Sequence, residues 1–190
     1  MKAQLGNISD EELVKAITLD PSDDACEELF GRYHKKIYMW CFTYTHDVDE
    51  ALDCAQEILI RIFKNIGSFS FRSSLSTWIY RITRNFCLGE TTSRKRDWYN
   101  RMIVLDEYYE AETAMLGPGK EIEIVEEIER FIDRARDVMT DDELEAFILH
   151  YYDGMRIREI TAILGCDNLS GARTLIQNAR RKFKRIVCER

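Results

Sequence analysis

From Ala51 to Ile66 the apolar side chains fall at Ala51, Leu52, Ala55, Ile58, Leu59, Ile62, Phe63 and Ile66, steps that bring them back to one side of an α-helix on every turn. The same spacing recurs along nearly the whole chain, and segments alternating apolar and polar residues in the manner of a half-buried strand are almost absent. A chain patterned this way is confined to all-α architectures, in which each helix hides its apolar stripe against other helices. With 190 residues it can bury a real core as one ordinary domain or as two small ones.

Start and stop signals divide the pattern. "SDEE" from Ser9 to Glu12 has the spacing of a capping box and opens a helix carrying Leu13, Val14 and Ile17. After "DPSDD" a second helix is expected from about Ala25 to Thr45, and after "THDVDE" a third from Val48 to Ile66. "GSFSFRSS" reads as a loop and "LSTWIYRITRNFCL" as a fourth helix. The stretch 101–120, acidic and closing on "GPGK", reads as a linker between an N-terminal domain, 1–100, and a C-terminal one, 121–190. Beyond it come an acidic helix from Glu121 to Arg136 and a second capping box, "TDDE", before "LEAFILHYY".

Charge is segregated along this plan. The formal net charge is −7, yet residues 67–101 carry 7 basic side chains against 2 acidic, and residues 154–190 carry 9 against 3. The intervening 102–153 carry 16 acidic side chains against 4 basic. Two basic blocks separated by acidic ones suit two surfaces for a polyanion, although a run of charge also serves simply as a solvated face.

The second basic block lies on a helix. In "NLSGARTLIQNARRKFKRIV", Ala172, Leu175, Ile176, Ala179, Phe183 and Ile186 line one face. Ser170 stands at its start, and Arg173, Thr174, Gln177, Asn178, Arg180, Arg181 and Lys184 occupy the other face. Upstream, "RIREITAILG" is a short helix with Ile157, Ile160 and Leu164 inward, ending at Gly165. Two helices joined by a tight turn, the second presenting arginine and amides, form a helix-turn-helix with its recognition helix last. Arg and Lys neutralise phosphates, while Arg, Gln and Asn match base edges in a major groove.

The first basic block mixes aromatics with charge. Leu75, Trp78, Ile79, Ile82 and Phe86 can face a core, leaving Thr77, Tyr80, Arg81, Arg84 and Leu88 outside. A polar loop with Phe69, Phe71, Arg72, Ser73 and Ser74 precedes them. Rings and arginines beside a flexible loop suit unpaired bases better than an intact duplex, though an aromatic stripe is also what an ordinary core uses. On the third helix, Asp53, Gln56, Glu57, Ile60 and Lys64 make a second stripe, polar at its rim with an isoleucine in its middle, as a partner-docking helix requires.

Several classes are excluded or made improbable. Six cysteines never form a C-x-x-C pair and three histidines add no ligand at metal spacing, so no metal and no cofactor are expected. No nucleophile, paired carboxylates or phosphate loop suggests an enzyme, and no catalytic residue is assigned. The N-terminus lacks a signal-peptide core, and no run approaches the roughly 18 apolar residues of a membrane span. The reading is a soluble cytoplasmic protein with no membrane insertion.

"DVDEALDCAQEILIRIFKNIGSF", "SLSTWIYRITRNFCL" and "RKR", followed at a distance by "DELEAFILHYYDGMRIREITAILG" and "ARTLIQNARRKFKR", resemble the two conserved domains of bacterial extracytoplasmic-function (ECF, group IV) sigma factors. The resemblance covers about four-fifths of the chain, in the family's order. It implies that Asp53, Gln56, Glu57, Ile60 and Lys64 dock on core RNA polymerase. It implies further that the loop with Phe69, Phe71, Arg72, Ser73 and Ser74, with Thr77, Trp78, Tyr80, Arg81 and Arg84, melts the −10 element of promoter DNA. Ser170, Arg173, Thr174, Gln177, Asn178, Arg180, Arg181 and Lys184 would read the −35 element, and an anti-sigma factor is implied as a further partner. The chain departs from the family pattern at Met139 and Thr140, where a Leu-Pro pair is usual, and in the turn "GCDNLSGAR", one residue longer than usual. Two other readings stay open: a plain DNA-binding regulator, which leaves the docking stripe unexplained, and a sigma-like module that binds an anti-sigma factor without promoter DNA, which would not need the basic faces.

Overall fold

The computed structural model describes residues 8–20, 23–91 and 118–188. The described residues contain helices and no strand, in keeping with the all-α expectation. They fall into two compact units, Met1–Glu126 and Glu127–Arg190. Residues 101–117 of the expected linker, and the "RKR" run at 94–96, lie outside the described residues.

The first unit begins with α1, Asp10–Leu19. The capping box forms as expected: Glu12 N donates to Ser9 Oγ at 3.3 Å, and Ser9 N donates back to Glu12 Oε2 at 2.8 Å. These bonds to Ser9, its backbone N–H first, hold the Glu12 carboxyl below the usual carboxylate range. Leu13, Val14 and Ile17 are buried against α2, Asp23–Thr45. Arg32 of α2 reaches Glu28 at 2.7 Å and Asp10 at 2.9 Å, and Tyr33 Oη donates to the other oxygen of Asp10 at 2.5 Å, so α1 is fixed by polar as well as apolar contacts.

A tight corner at His46, whose backbone is left-handed with φ 58°, leads to α3, Val48–Asn65, capped by Asp47 accepting from Glu50 N at 2.9 Å. Ala51, Ala55, Ile58 and Ile62 are buried to 1% exposure or less, as the apolar stripe requires. A 3-10 turn at Ile66–Ser68 ends that helix, and after the loop comes α4, Leu75–Thr91. Helices α2, α3 and α4 pack on one another around Trp40, Ile37, Ile58 and Ile79. The Trp40 and Tyr80 rings meet edge to face at 5.0 Å.

Helix α5 spans Pro118–Arg136, three residues earlier than the acidic run alone suggests, and its residues from Glu127 onward belong to the second unit. A proline costs nothing in a first helical turn, where its missing N–H has no intrahelical partner. Helix α6, Asp141–Phe147, starts on the second capping box: Thr140 Oγ1 accepts from Glu143 N at 3.3 Å. "LEAFILHYY" does not continue as one α-helix, since Ile148–Tyr152 forms a π-turn that ends near Gly154, at φ 69°. Then come α7, Ile157–Leu164, and α8, Leu169–Cys188. Phe131, Phe147 and Phe183 bring α5, α6 and α8 together, the Phe147 and Phe183 ring centroids lying 4.8 Å apart. Among the described residues no helix is long and apolar enough to cross a membrane.

Candidate functional site

Helices α7 and α8 form the helix-turn-helix. Gly165 ends α7 in the left-handed conformation, φ 65°, which only glycine adopts without strain, and its N–H returns to Thr161 O. Asn168 then opens α8, its Oδ1 accepting from Ser170 N at 2.9 Å and Gly171 N at 3.2 Å. Gly171 faces Cys166 so closely that a Cβ there would stand 3.3 Å from the cysteine's own. The turn is thus closed by an asparagine cap and by a glycine that lets the turn lie against the helix.

On α8 the two faces fall as the pattern dictates. Ala172, Ile176 and Ala179 are buried and Leu175 and Phe183 half-buried, with Ile163 of α7, outside the expected stripe, also buried. Ser170, Arg173, Thr174, Gln177, Arg180, Arg181 and Lys184 are exposed. Asn178 is half-buried and accepts from Arg181 Nη2 at 2.8 Å, while the Thr174 hydroxyl donates to Ser170 O at 2.8 Å. The basic residue of this helix that turns elsewhere is Lys182, which reaches Glu143.

The loop after α3 is built on aromatics of unequal depth. Phe69, expected in a polar loop, is 5% exposed, wedged between Phe71 at 4.8 Å and Trp78 at 5.5 Å. Phe71 stays 41% exposed with its backbone left-handed at φ 58°, Arg72 is exposed, and Ser73 is half-buried. Ser74 caps α4, its Oγ accepting from Thr77 N at 3.1 Å and bonded to Thr77 Oγ1 at 2.7 Å.

The outer stripe expected on α4 is corrected at two residues. Thr77 is 0% exposed and Tyr80 1%, its hydroxyl bonded to Tyr44 Oη at 3.0 Å. The cause is that α4 packs on both α2 and α3, which widens its buried arc to include Thr77, Tyr80, Thr83 and Cys87 alongside Leu75, Ile79 and Phe86. The exposed side is rotated accordingly: Arg81, Asn85 and Leu88 are exposed, with Trp78, Ile82 and Arg84 half-buried. Trp78, Ile82, Asn85 and Phe86 join Arg61, Asn65 and Ser68 around an open groove of about 430 Å³. Arg61 was not singled out by sequence; its guanidinium lies 4.5 Å from the Phe86 ring centroid and pairs with Glu57 at 2.8 Å.

The stripe on α3 lies on the opposite flank of Arg61. Asp53, Gln56 and Lys64 are exposed, and Glu57 and Ile60 half-buried. This places an isoleucine within a polar rim, partly covered where the sequence predicts an exposed one, with one rim carboxylate already engaged by Arg61. The stripe, the loop and the α4 groove all belong to the first unit, whereas the α8 face belongs to the second.

The Sigma-70 region 2 family matches residues 29–97, which contain α3, the loop and α4. The ECF RNA polymerase sigma factor EcfG of Rhodopseudomonas palustris is 30% identical over 141 residues, covering 74% of this chain and 73% of that protein. The ECF RNA polymerase sigma factor SigW of Bacillus subtilis is 40% identical over 76 residues, 40% of this chain and 41% of that protein. The sigma factor RpoE of Bartonella quintana, solved in complex with the anti-sigma factor NepR, shares the fold with a TM-score of 0.53 at 18% identity, over 85% of this chain and 95% of that one. Helical units carrying a helix-turn-helix and a sigma region 2 define a transcription factor of the sigma class. The chain belongs to the ECF RNA polymerase sigma factors and acts as an alternative sigma factor in transcription initiation.

Proposed function

We propose that the chain binds core RNA polymerase through Asp53, Gln56, Glu57, Ile60 and Lys64, opens the −10 element over the loop and α4, and reads the −35 element with the outer face of α8. The observation that carries this reading is the outer face of α8. Its exposed arginines, lysine and amide sit on a helix whose other face is packed, behind a capped turn of the kind that presents a helix to a groove. The bounds 1–100, 101–120 and 121–190 serve as polymerase-docking and melting domain, linker and reading domain. Assignment to group IV, a bacterial cytoplasmic location and a regulatory role without catalysis follow from the same reading. An anti-sigma factor is its natural regulator, in line with the partner of the similar RpoE chain.

On the −10 side, Arg81, Arg72, Phe71 and Trp78 are the groups that contact the separated strand. Phe69, Thr77 and Tyr80 act beneath them by fixing the loop and the helix. Arg84, half-buried, stands at the margin of this face. The acidic blocks of the free chain weaken its attraction for arbitrary DNA, and the local basic faces act once polymerase positions them. The test is transcription by purified core polymerase with a promoter library, with and without this chain. Selective transcripts that share upstream and downstream elements support the reading. A chain that binds an anti-sigma factor tightly but neither core polymerase nor promoter would replace it with the interaction-module reading.

A further inference from the structure

Phe71 holds a bulky aromatic side chain on left-handed backbone, φ 58°, a conformation that persists in such a residue only when its surroundings enforce it. The arrangement does not bury the ring. Phe69 takes the buried place below, and Phe71 stands on it at the tip of the loop, 41% exposed and tilted 57° to the ring beneath.

A cation from a different helix stands over that tip. Lys15 Nζ lies 5.4 Å from the Phe71 ring centroid. Lys15 is itself exposed, but the helix that carries it is held in three ways. Asp10 is tied to Arg32 and Tyr33, while Leu13, Val14 and Ile17 enter the core. Thr18 Cγ2 stands 3.9 Å from where a Cβ on Gly67 would be, so α1 rests on the turn that begins the loop. The neighbouring carboxylate of Glu12 accepts from the N–H and hydroxyl of Ser9, both at 2.8 Å to Oε2, and attracts Lys15 without a direct ion pair.

We infer that Lys15 is part of the single-strand site: an unpaired base stacks on the exposed ring of Phe71 in place of the Lys15 ammonium, which swings aside to pair with the phosphate of that nucleotide. The chemistry is that of single-strand recognition, a ring for the base beside a cation for the backbone. Arg72, exposed next along the loop, tracks the adjacent phosphate. The inference rests on the reading of this loop as the −10 site, and it adds a residue from α1, outside the 29–97 match. It also gives the α1 contact with the 3-10 turn a role: the helix that carries the phosphate-binding cation is held beside the stacking ring.

The test uses holoenzyme reconstituted from core polymerase and the full chain, with a fluorescein-labelled single-stranded DNA and anisotropy followed across a sodium chloride series. Lys15→Gln is expected to lower affinity several-fold and to flatten the slope of log affinity against log salt by about 0.7, the loss of one single-strand phosphate contact. Lys15→Arg should restore both, and the thermal melt of each variant should match the parent. If Lys15→Gln weakens binding with the slope unchanged, the lysine merely props the ring and the proposal is overturned. It is equally overturned if affinity and slope both stay at the parent values. Phe71→Asn, which tolerates the left-handed backbone, and Arg72→Ala are measured alongside. If neither changes binding, the loop is not the single-strand site at all, and the underlying reading falls with the inference. If they weaken binding while Lys15→Gln does not, only Lys15 is removed from the site.

Discussion

Lys182 Nζ lies 2.5 Å from Glu143 Oε2, joining the middle of α8 to the first turn of α6. The carboxylate is only 7% exposed and also accepts from Thr140 N at 3.0 Å, so it belongs to the capping box and to the ion pair at once. Burial pushes the Glu143 carboxyl up, but the bonds from Lys182 and Thr140 outweigh it and hold the group below the usual carboxylate range. This bond ties α8 to α6, and it explains why one lysine in a basic run does not face outward.

The pH dependence follows from that direction. A carboxyl whose folded value is depressed contributes stability that is present above its unfolded value and is lost as pH falls through the folded one. Urea midpoints of the second unit should therefore decline on acidification below the normal glutamate range, and Glu143→Gln should flatten that decline. Lys182→Ala, leaving a buried carboxylate with only its cap, should cost about 1–3 kcal/mol at neutral pH. A Lys182→Ala protein with the parent midpoint would show that the pair contributes nothing.

The outer face of α8 is expected to divide by chemistry. Arg173→Ala and Gln177→Ala should relax base preference in the upstream promoter element, each true base contact costing about 1–3 kcal/mol. Lys184→Ala and Arg180→Ala should weaken all promoters alike and reduce salt dependence, as loss of a phosphate contact does. Binding-site selection on each variant is the measurement. Unchanged base preference across every exposed substitution from Arg173 to Lys184 would remove α8 as the reader.

The docking stripe is separable from the fold. Ile60 is half-buried, so Ile60→Glu should cost about 1–2 kcal/mol of stability and leave the unit folded. Its larger effect should be on co-purification with core polymerase, where a charge at the centre of an interface must be desolvated without a partner. Lys64→Glu, at the exposed rim, should weaken co-purification less and leave the melting temperature alone. A folded Ile60→Glu chain that still binds polymerase as the parent does would move the docking surface elsewhere.

What the sequence discloses depends on whether the side chains an element buries are themselves apolar. Helix α3 and the recognition helix each bury one contiguous arc, so the apolar spacing alone separates Ala172, Ile176 and Ala179 from Arg173, Gln177 and Arg180. Both capping boxes are legible because their partners lie three residues apart. Helix α4 also buries the hydroxyl-bearing Thr77, Tyr80 and Thr83, and no local signal says that an arc of such residues is covered. The partner of Lys182 is not legible either, since it lies 39 residues away, although the spacing from Leu175 and Ala179 already sets this lysine apart from the outer face. Nor is the left-handed backbone of Phe71 legible, being imposed by the loop rather than by its own preference.

The misplaced arc on α4 supplies the last prediction. Tyr80 is 1% exposed, edge-on to Trp40 and bonded through its hydroxyl to Tyr44, whereas the next residue, Arg81, is exposed. Tyr80→Phe should lose about 1 kcal/mol, the net worth of one hydrogen bond in a partly buried setting, and keep promoter opening intact. Tyr80→Ala empties the space of a buried ring and should cost about 3–5 kcal/mol, enough to unfold the first unit partly or wholly. Arg81→Ala should do the reverse, leaving urea and thermal midpoints within about 0.5 kcal/mol of the parent while lowering the rate of strand opening. The paired readouts are chemical denaturation and the fluorescence of a base analogue placed in the −10 region of a promoter bound by the reconstituted holoenzyme. If Tyr80→Phe folds normally but fails to open DNA, the tyrosine hydroxyl must leave Tyr44 to meet a base, and the face of α4 that contacts the strand would have to include the side that the free chain keeps buried.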